Sequence, residues 1–152
     1  MRNNYIIREA RSWLGTPYRH QASCKLVGAD CLGFIYGLYV ALNPQTVPPL
    51  PPYDVQPQTG EGERLWRGAC LYLIDQSATA SSFLPDPAPG QVILFRMRPG
   101  DPARHMAVLL DDGNMAHAVR GRGVVTSRFG KWWRRRLVGV FSFPSQDLSD
   151  QQ

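Results

Sequence analysis

From Gln91 onward the apolar residues of this 152-residue chain change their spacing, and that change restricts the fold more than any other feature. Upstream they recur every three or four residues, as on one face of a helix. Residues 3–14 place Tyr5, Ile6, Ile7, Ala10, Trp13 and Leu14 on such a face, and Gly15 and Pro17 stop it. Asp30 is positioned to cap a second helix, which runs through Phe34, Ile35, Leu38, Tyr39 and Leu42 to Asn43-Pro44. A third, short helix falls within residues 63–76, with Leu65, Trp66, Ala69 and Leu73 inward. Downstream, residues 92–97, 105–111, 115–120, 124–127 and 137–143 alternate in polarity or are continuously apolar, which predicts strands. Asp111-Asp112-Gly113-Asn114 predicts a hairpin turn between the second and third of these. Helices first and antiparallel strands after them define an α+β chain, with N-terminal helices packed on a C-terminal antiparallel sheet.

The length suits one domain, residues 1–145, and 43% hydrophobic residues suffice for its core. A proline-rich insertion around residues 44–62 reads as an extended ordered arm, not as a linker, because too little chain follows for a second large core. Residues 18–29 and 77–89 read as loops, and 146–152 as a polar, frayed tail. The net charge of +5 and a pI near 9.4 suit an anionic partner: a cell-wall polymer, a nucleic acid or a membrane surface. No apolar run has the length of a membrane span or the form of a signal peptide, so folding in the cytoplasm is expected. Action outside the cell would then need a carrier other than the chain's own leader. Three cysteines without paired spacing argue against a disulfide framework.

Cys31, His105 and His117 carry the chemistry that the sequence permits. Cys31 opens the second helix directly after its capping Asp30, where free N–H groups and partial positive charge favour a thiolate. His105 begins one strand, and His117 lies twelve residues later on the next, across the Asp112-Gly113 turn. A thiol at a helix start and two imidazoles on neighbouring strands can supply a nucleophile, a base and a group that orients the base. Helix-start amides can help to hold an oxyanion. Cys24 and Cys70 have no placed partner and read as core filler, and His20 reads as exposed. Zinc bound by Cys24, Cys31, His105 and His117 lacks the close ligand pairs such sites use. Lys131-Trp132-Trp133-Arg134-Arg135-Arg136 reads as a solvated rim with tryptophan packed inward, in preference to a nucleic-acid grip.

Taken in order, the motifs resemble the NlpC family of bacterial cell-wall cysteine peptidases. Leu14-Gly15-Thr16-Pro17-Tyr18 resembles that family's Leu-Gly-x-Pro-Tyr entry, and Asp30-Cys31-Leu32-Gly33 its Asp-Cys-Ser-Gly motif. Pro89-Gly90-Gln91 through Phe95 resembles Pro-Gly-Asp-x-x-x-Phe, with Gln91 in place of aspartate. His105-Met106-Ala107-Val108, Met115-Ala116-His117-Ala118 and the segment from Trp133 to Val140 resemble its His-Val-Gly-Ile, Ile-His-Ala and closing Arg-x-Val-Gly strands. Gln21-Ala22 stands where the family has a glycine pair. The resemblance implies a papain-like fold with Cys31 as nucleophile, His105 as base, His117 as the polar third residue and Tyr18 beside the nucleophile. It implies thiol chemistry that needs no metal or other cofactor. The implied substrate is a peptidoglycan stem peptide, cut next to D-γ-glutamate, with no nucleic acid required. Asp-Cys-Leu-Gly in a single catalytic domain is similar to members carried by phages and gene transfer agents. From that follow phage-like tail or baseplate partners and action in the periplasm of a target cell. The alternative is a structural tail component with a vestigial site.

Overall fold

The computed structural model describes residues 2–44, 63–77 and 83–144. Most of the proline-rich arm, part of the 77–89 loop and the polar tail therefore lie outside the described residues. Helix α1 (Arg2–Ser12) buries Ile6, Ile7 and Ala10. Helix α2 (Cys31–Leu42) buries Leu32, Phe34, Ile35 and Leu38. Helix α3 (Arg64–Tyr72) is amphipathic and half-buried, its Trp66 ring set edge-on against Phe141 with centroids 5.3 Å apart.

The strands are β1 (Ser23–Cys24), β2 (Gly28–Ala29), β3 (Ile74–Asp75), β4 (Val92–Phe95), β5 (His105–Leu109), β6 (Asn114–Val119), β7 (Gly123–Arg128) and β8 (Leu137–Ser142). A helical turn, α4 (Lys131–Arg134), precedes β8. The six longer-range strands form one antiparallel sheet in the order β3-β8-β4-β5-β6-β7. The last strand thus returns to lie between β3 and β4. Strand alternation divides the core in two. Val92, Leu94, Met106, Val108, Ala116 and Ala118 face α1 and α2, whereas Ile93, Phe95, Ala107, Leu109 and Met115 face the side of Phe129 and Trp133. The α+β architecture agrees with the sequence reading, but the detail differs in three places. Residues 18–29, read as loop, contain the β1–β2 hairpin, because two-residue strands are too short to show a period. The α4 turn and β3 were hidden for the same reason. Cys24 and Cys70, read as core filler, are both exposed: the first lies on the small hairpin and the second on the outer side of α3.

Two close approaches set the helices relative to the sheet. Gly37 in α2 lies against the Trp13 ring, so any side chain there would collide with it. Trp13 in turn packs on Phe34, with ring centroids 5.8 Å apart. The segment after α1 is stitched to β7: the Gly15 N–H donates to Val124 O at 3.0 Å, and the Val124 N–H donates to Thr16 O at 2.8 Å. Thr16 is fully buried, and its hydroxyl bonds Trp13 O at 2.6 Å. Pro17 O accepts from the Ala29 N–H at 3.0 Å, while the Arg19 N–H donates to Ala29 O at 3.2 Å. Tyr18, between them, is thereby fixed opposite Ala29, just before the start of α2.

Candidate active site

Asp30 builds the tip of α2. Its Oδ1 accepts from the Gly33 N–H at 2.7 Å and its Oδ2 from the Gln21 N–H at 2.7 Å. Its carbonyl accepts from the Phe34 N–H at 2.8 Å. The first four N–H groups of a helix have no partner within it. Here the Asp30 carboxylate satisfies that of Gly33, while those of Cys31 and Leu32 act on the Cys31 thiol and lower its pKa. Gly33 is required, since a Cβ at that position would run into the Ala22 carbonyl. Gln21, where the resemblance expects glycine, takes a left-handed φ of 61°. Leu32, in place of serine, is buried in the core between helix and sheet.

The sheet provides the other half of the site. Strands β5 and β6 pair only near their turn, Val108 with Ala116 and Leu109 with Met115. The Leu110 N–H bonds Asn114 O on the β6 side, so by alternation the Met106 N–H faces that side as well. It lies beyond the end of the ladder and is directed at the Cys31 sulfur instead. Past that end the histidine rings meet: His105 Nε2 lies 2.7 Å from His117 Nδ1. On its far side, His117 Nε2 lies 2.8 Å from Ser127 Oγ on β7. Both rings belong to the Phe95 face of the sheet, where Trp133 walls them at centroid distances of 5.7 and 5.4 Å.

Cys31, His105, His117, Ser127 and Tyr18 all line one pocket of about 450 Å³ at this open end of the sheet, a size suited to a small substrate. Arg64, Arg104, Arg120 and Arg122 also line it, against the one acid Asp30. The pocket is therefore electropositive. Burial raises the Tyr18 phenol pKa first, then the charges of Cys31 and Asp30, while the nearby Arg120 opposes them. His20, expected to be exposed, is exposed, 3.6 Å from Asp30 through Nδ1.

Burial works against the thiolate expected at the start of α2. Burial, followed by the neighbouring Asp30 charge, pushes the Cys31 thiol up to about 12, although the amides of Met106, Leu32 and Cys31 pull the other way. Burial, with His117 beside it, lowers His105 to about 3. His117 falls to about 4 through burial and the charge of Arg122. Cys31 and His105 are half-buried and line the pocket, and their surroundings disfavour charge on either. The helix-start effect is present but is outweighed by desolvation.

Ser127, Arg120, Arg122 and the Met106 amide were absent from the sequence reading. The sole signal for the arginines was their place directly after the His117 strand. Ser127 could be found only from the β6–β7 register, which sets Met115 opposite Ser127 and His117 opposite Val125.

The NlpC/P60 family model matches residues 15–142, which covers the whole of this site. The chain belongs to the NlpC/P60 family. No curated protein sequence matches it significantly. Among solved structures, it is similar to the NlpC/p60 domain of the peptidoglycan hydrolase SagA, at 22% identity and a TM-score of 0.56, over 93% of this chain and 98% of that one. An NlpC/P60 family protein from Bacillus cereus matches at 23% identity and a TM-score of 0.59, over 93% of this chain and 40% of its own. NlpC1 from Trichomonas vaginalis matches at 19% and 0.60, over 95% of this chain and 45% of its own. This chain thus spans less than half the length of the latter two. At these identities the likeness establishes the fold, which is the NlpC/P60 arrangement of helices on an antiparallel sheet. Among the described residues, no helix is long and apolar enough to cross a membrane.

Proposed function

We propose that the protein is a cysteine peptidase that hydrolyses an amide bond in peptidoglycan stem peptides, next to D-γ-glutamate. The observation that carries this reading is the relay His105–His117, closed at 2.7 Å, in the same pocket as the helix-tip thiol. Family membership supports it, and so does the ring of arginines, since stem peptides carry several carboxylates. His105 engages His117 through Nε2, which leaves Nδ1 as the nitrogen that can take a proton. Because burial opposes charge on thiol and imidazole alike, the sulfur gives its proton to His105 as it attacks the scissile carbonyl. The Cys31 and Leu32 amides, with the Tyr18 hydroxyl, receive the developing oxyanion. The imidazolium protonates the leaving amine, and water, deprotonated by the same ring, releases the acyl group from the sulfur.

The test is digestion of purified muropeptides followed by mass spectrometry. The wild type is expected to release a cleaved stem whose mass names the bond, and Cys31→Ala to release none. Cleavage by that variant at the wild-type rate would end the reading. We propose further that the enzyme works within a phage-like tail that opens a host wall, a setting supported by the Asp30-Cys31-Leu32-Gly33 motif. Its presence in purified particles, lost on deletion of Pro48–Pro57 while digestion is retained, is the expected result. Its absence from every particle fraction would contradict that setting.

A further inference from the structure

Both ring nitrogens of His117 are engaged, Nδ1 by His105 Nε2 and Nε2 by Ser127 Oγ. A neutral imidazole has one donor and one acceptor, so this row of hydrogen bonds can run in only two directions. In the first, His105 Nε2–H donates to His117 Nδ1, and His117 Nε2–H donates to Ser127 Oγ. The lone pair of His105 is then on Nδ1, and the ring can accept a proton from the thiol. In the second, the Ser127 hydroxyl donates to His117 Nε2, His117 Nδ1–H donates to His105 Nε2, and His105 carries its proton on Nδ1. In that state His105 cannot act as a base at all. The direction of one hydroxyl therefore separates a competent site from an incompetent one.

We propose that Ser127 is a positioning residue of this site, which holds the His117–His105 pair in the base-competent tautomers by accepting from His117 Nε2–H. The inference rests on the reading of Cys31 and His105 as nucleophile and base, and adds a fourth member from a different strand. One feature favours the first direction, and two make Ser127 the group that decides it. Ser127 is half-buried and lines the pocket, so its own O–H can donate to pocket water. His117 itself is 2% exposed, so a nitrogen deprived of Ser127 would have little solvent to turn to. Burial keeps both rings neutral at physiological pH, so tautomer, not charge, is the variable left to fix.

The experiment pairs imidazole ¹⁵N NMR at neutral pH with muropeptide kinetics on wild type, Ser127→Ala and Ser127→Thr. The wild type is expected to show His117 and His105 both protonated at Nε2. Ser127→Ala is expected to give a mixed or reversed tautomer signature for His117, and kcat roughly 10- to 100-fold lower, a share of the 10²–10⁴ that a positioned base supplies. KM should stay within about threefold, as for a residue that acts through the base and not through substrate binding. Ser127→Thr keeps the oxygen and should restore both readouts. A wild-type His117 protonated at Nδ1, or an alanine variant with unchanged tautomers and kcat, would overturn the inference. A wild type that cleaves no muropeptide would overturn the peptidase reading instead, while the NMR signatures still decide the role of Ser127.

Discussion

Asp30 serves two opposed purposes. Its carboxylate ties the α2 tip to Gly33 and Gln21, and so fixes the sulfur in the pocket that the histidines also line. The same charge, one residue away, also raises the thiol pKa. The substitution Asp30→Asn keeps a side-chain oxygen that can cap the helix and removes the charge. We expect Cys31 of that variant to be alkylated by iodoacetamide several-fold faster than wild type at pH 8, because the thiolate fraction rises as the pKa falls. Peptide mapping must follow the reaction, since the exposed Cys24 and Cys70 react as well. An unchanged rate at Cys31 would mean that burial alone controls the thiol. At this scale the sequence was informative: an Asp followed by an apolar helical run is a local signal, and the cap forms as read. The charge state was not legible, because the desolvation that sets it comes from strands more than sixty residues further along the chain.

Among the elements, α1 and α2 are held in place by contacts that invert an ordinary rule. Glycine inside a helix usually destabilises it by about 1 kcal/mol relative to alanine. Gly37, though, lies against the Trp13 ring, and a methyl group there has no room. Gly37→Ala is therefore expected to destabilise the protein by about 1–3 kcal/mol, the usual cost of overpacking, measured as a lower urea midpoint. A higher midpoint would mean that Trp13 moves aside freely. Arg11 also reaches from α1 to Asp111 at 2.6 Å, but this pair is solvent-exposed and worth little. The histidine strands were readable because their side chains lie twelve residues apart about a central turn. An even separation puts them on one face as diagonal neighbours, which is how the rings meet. The return of β8 between β3 and β4 left no such trace, since strand order depends on which edges the helices leave open. Ser127 was hidden with it: its meeting with His117 follows from the β6–β7 register, which one strand's alternation does not encode.

The whole molecule carries the cost of burying two histidines in neutral form. Their folded pKa values, about 3 for His105 and about 4 for His117, lie below the ordinary 6.5. The unfolded chain therefore binds more protons below pH 6.5, and the stability present above that pH is lost as pH falls toward the folded values. Each histidine contributes a slope of up to about 1.4 kcal/mol per pH unit in that window. Urea midpoints should fall steadily between about pH 6.5 and 4, and the double variant His105→Gln, His117→Gln should flatten the curve over that range. A wild-type midpoint unchanged between those pH values would show that the rings are hydrated and not buried. The same burial underlies the proposed chemistry, in which the sulfur becomes nucleophilic as it hands its proton to His105. Rapid acid quench of the reaction with a muropeptide, followed by peptide mass mapping, tests that claim most directly. The account predicts a thioester-linked acyl fragment on the peptide that contains Cys31, absent in His105→Ala. Turnover with no adduct at Cys31, or with the acyl group on Cys24 or Cys70, would contradict it.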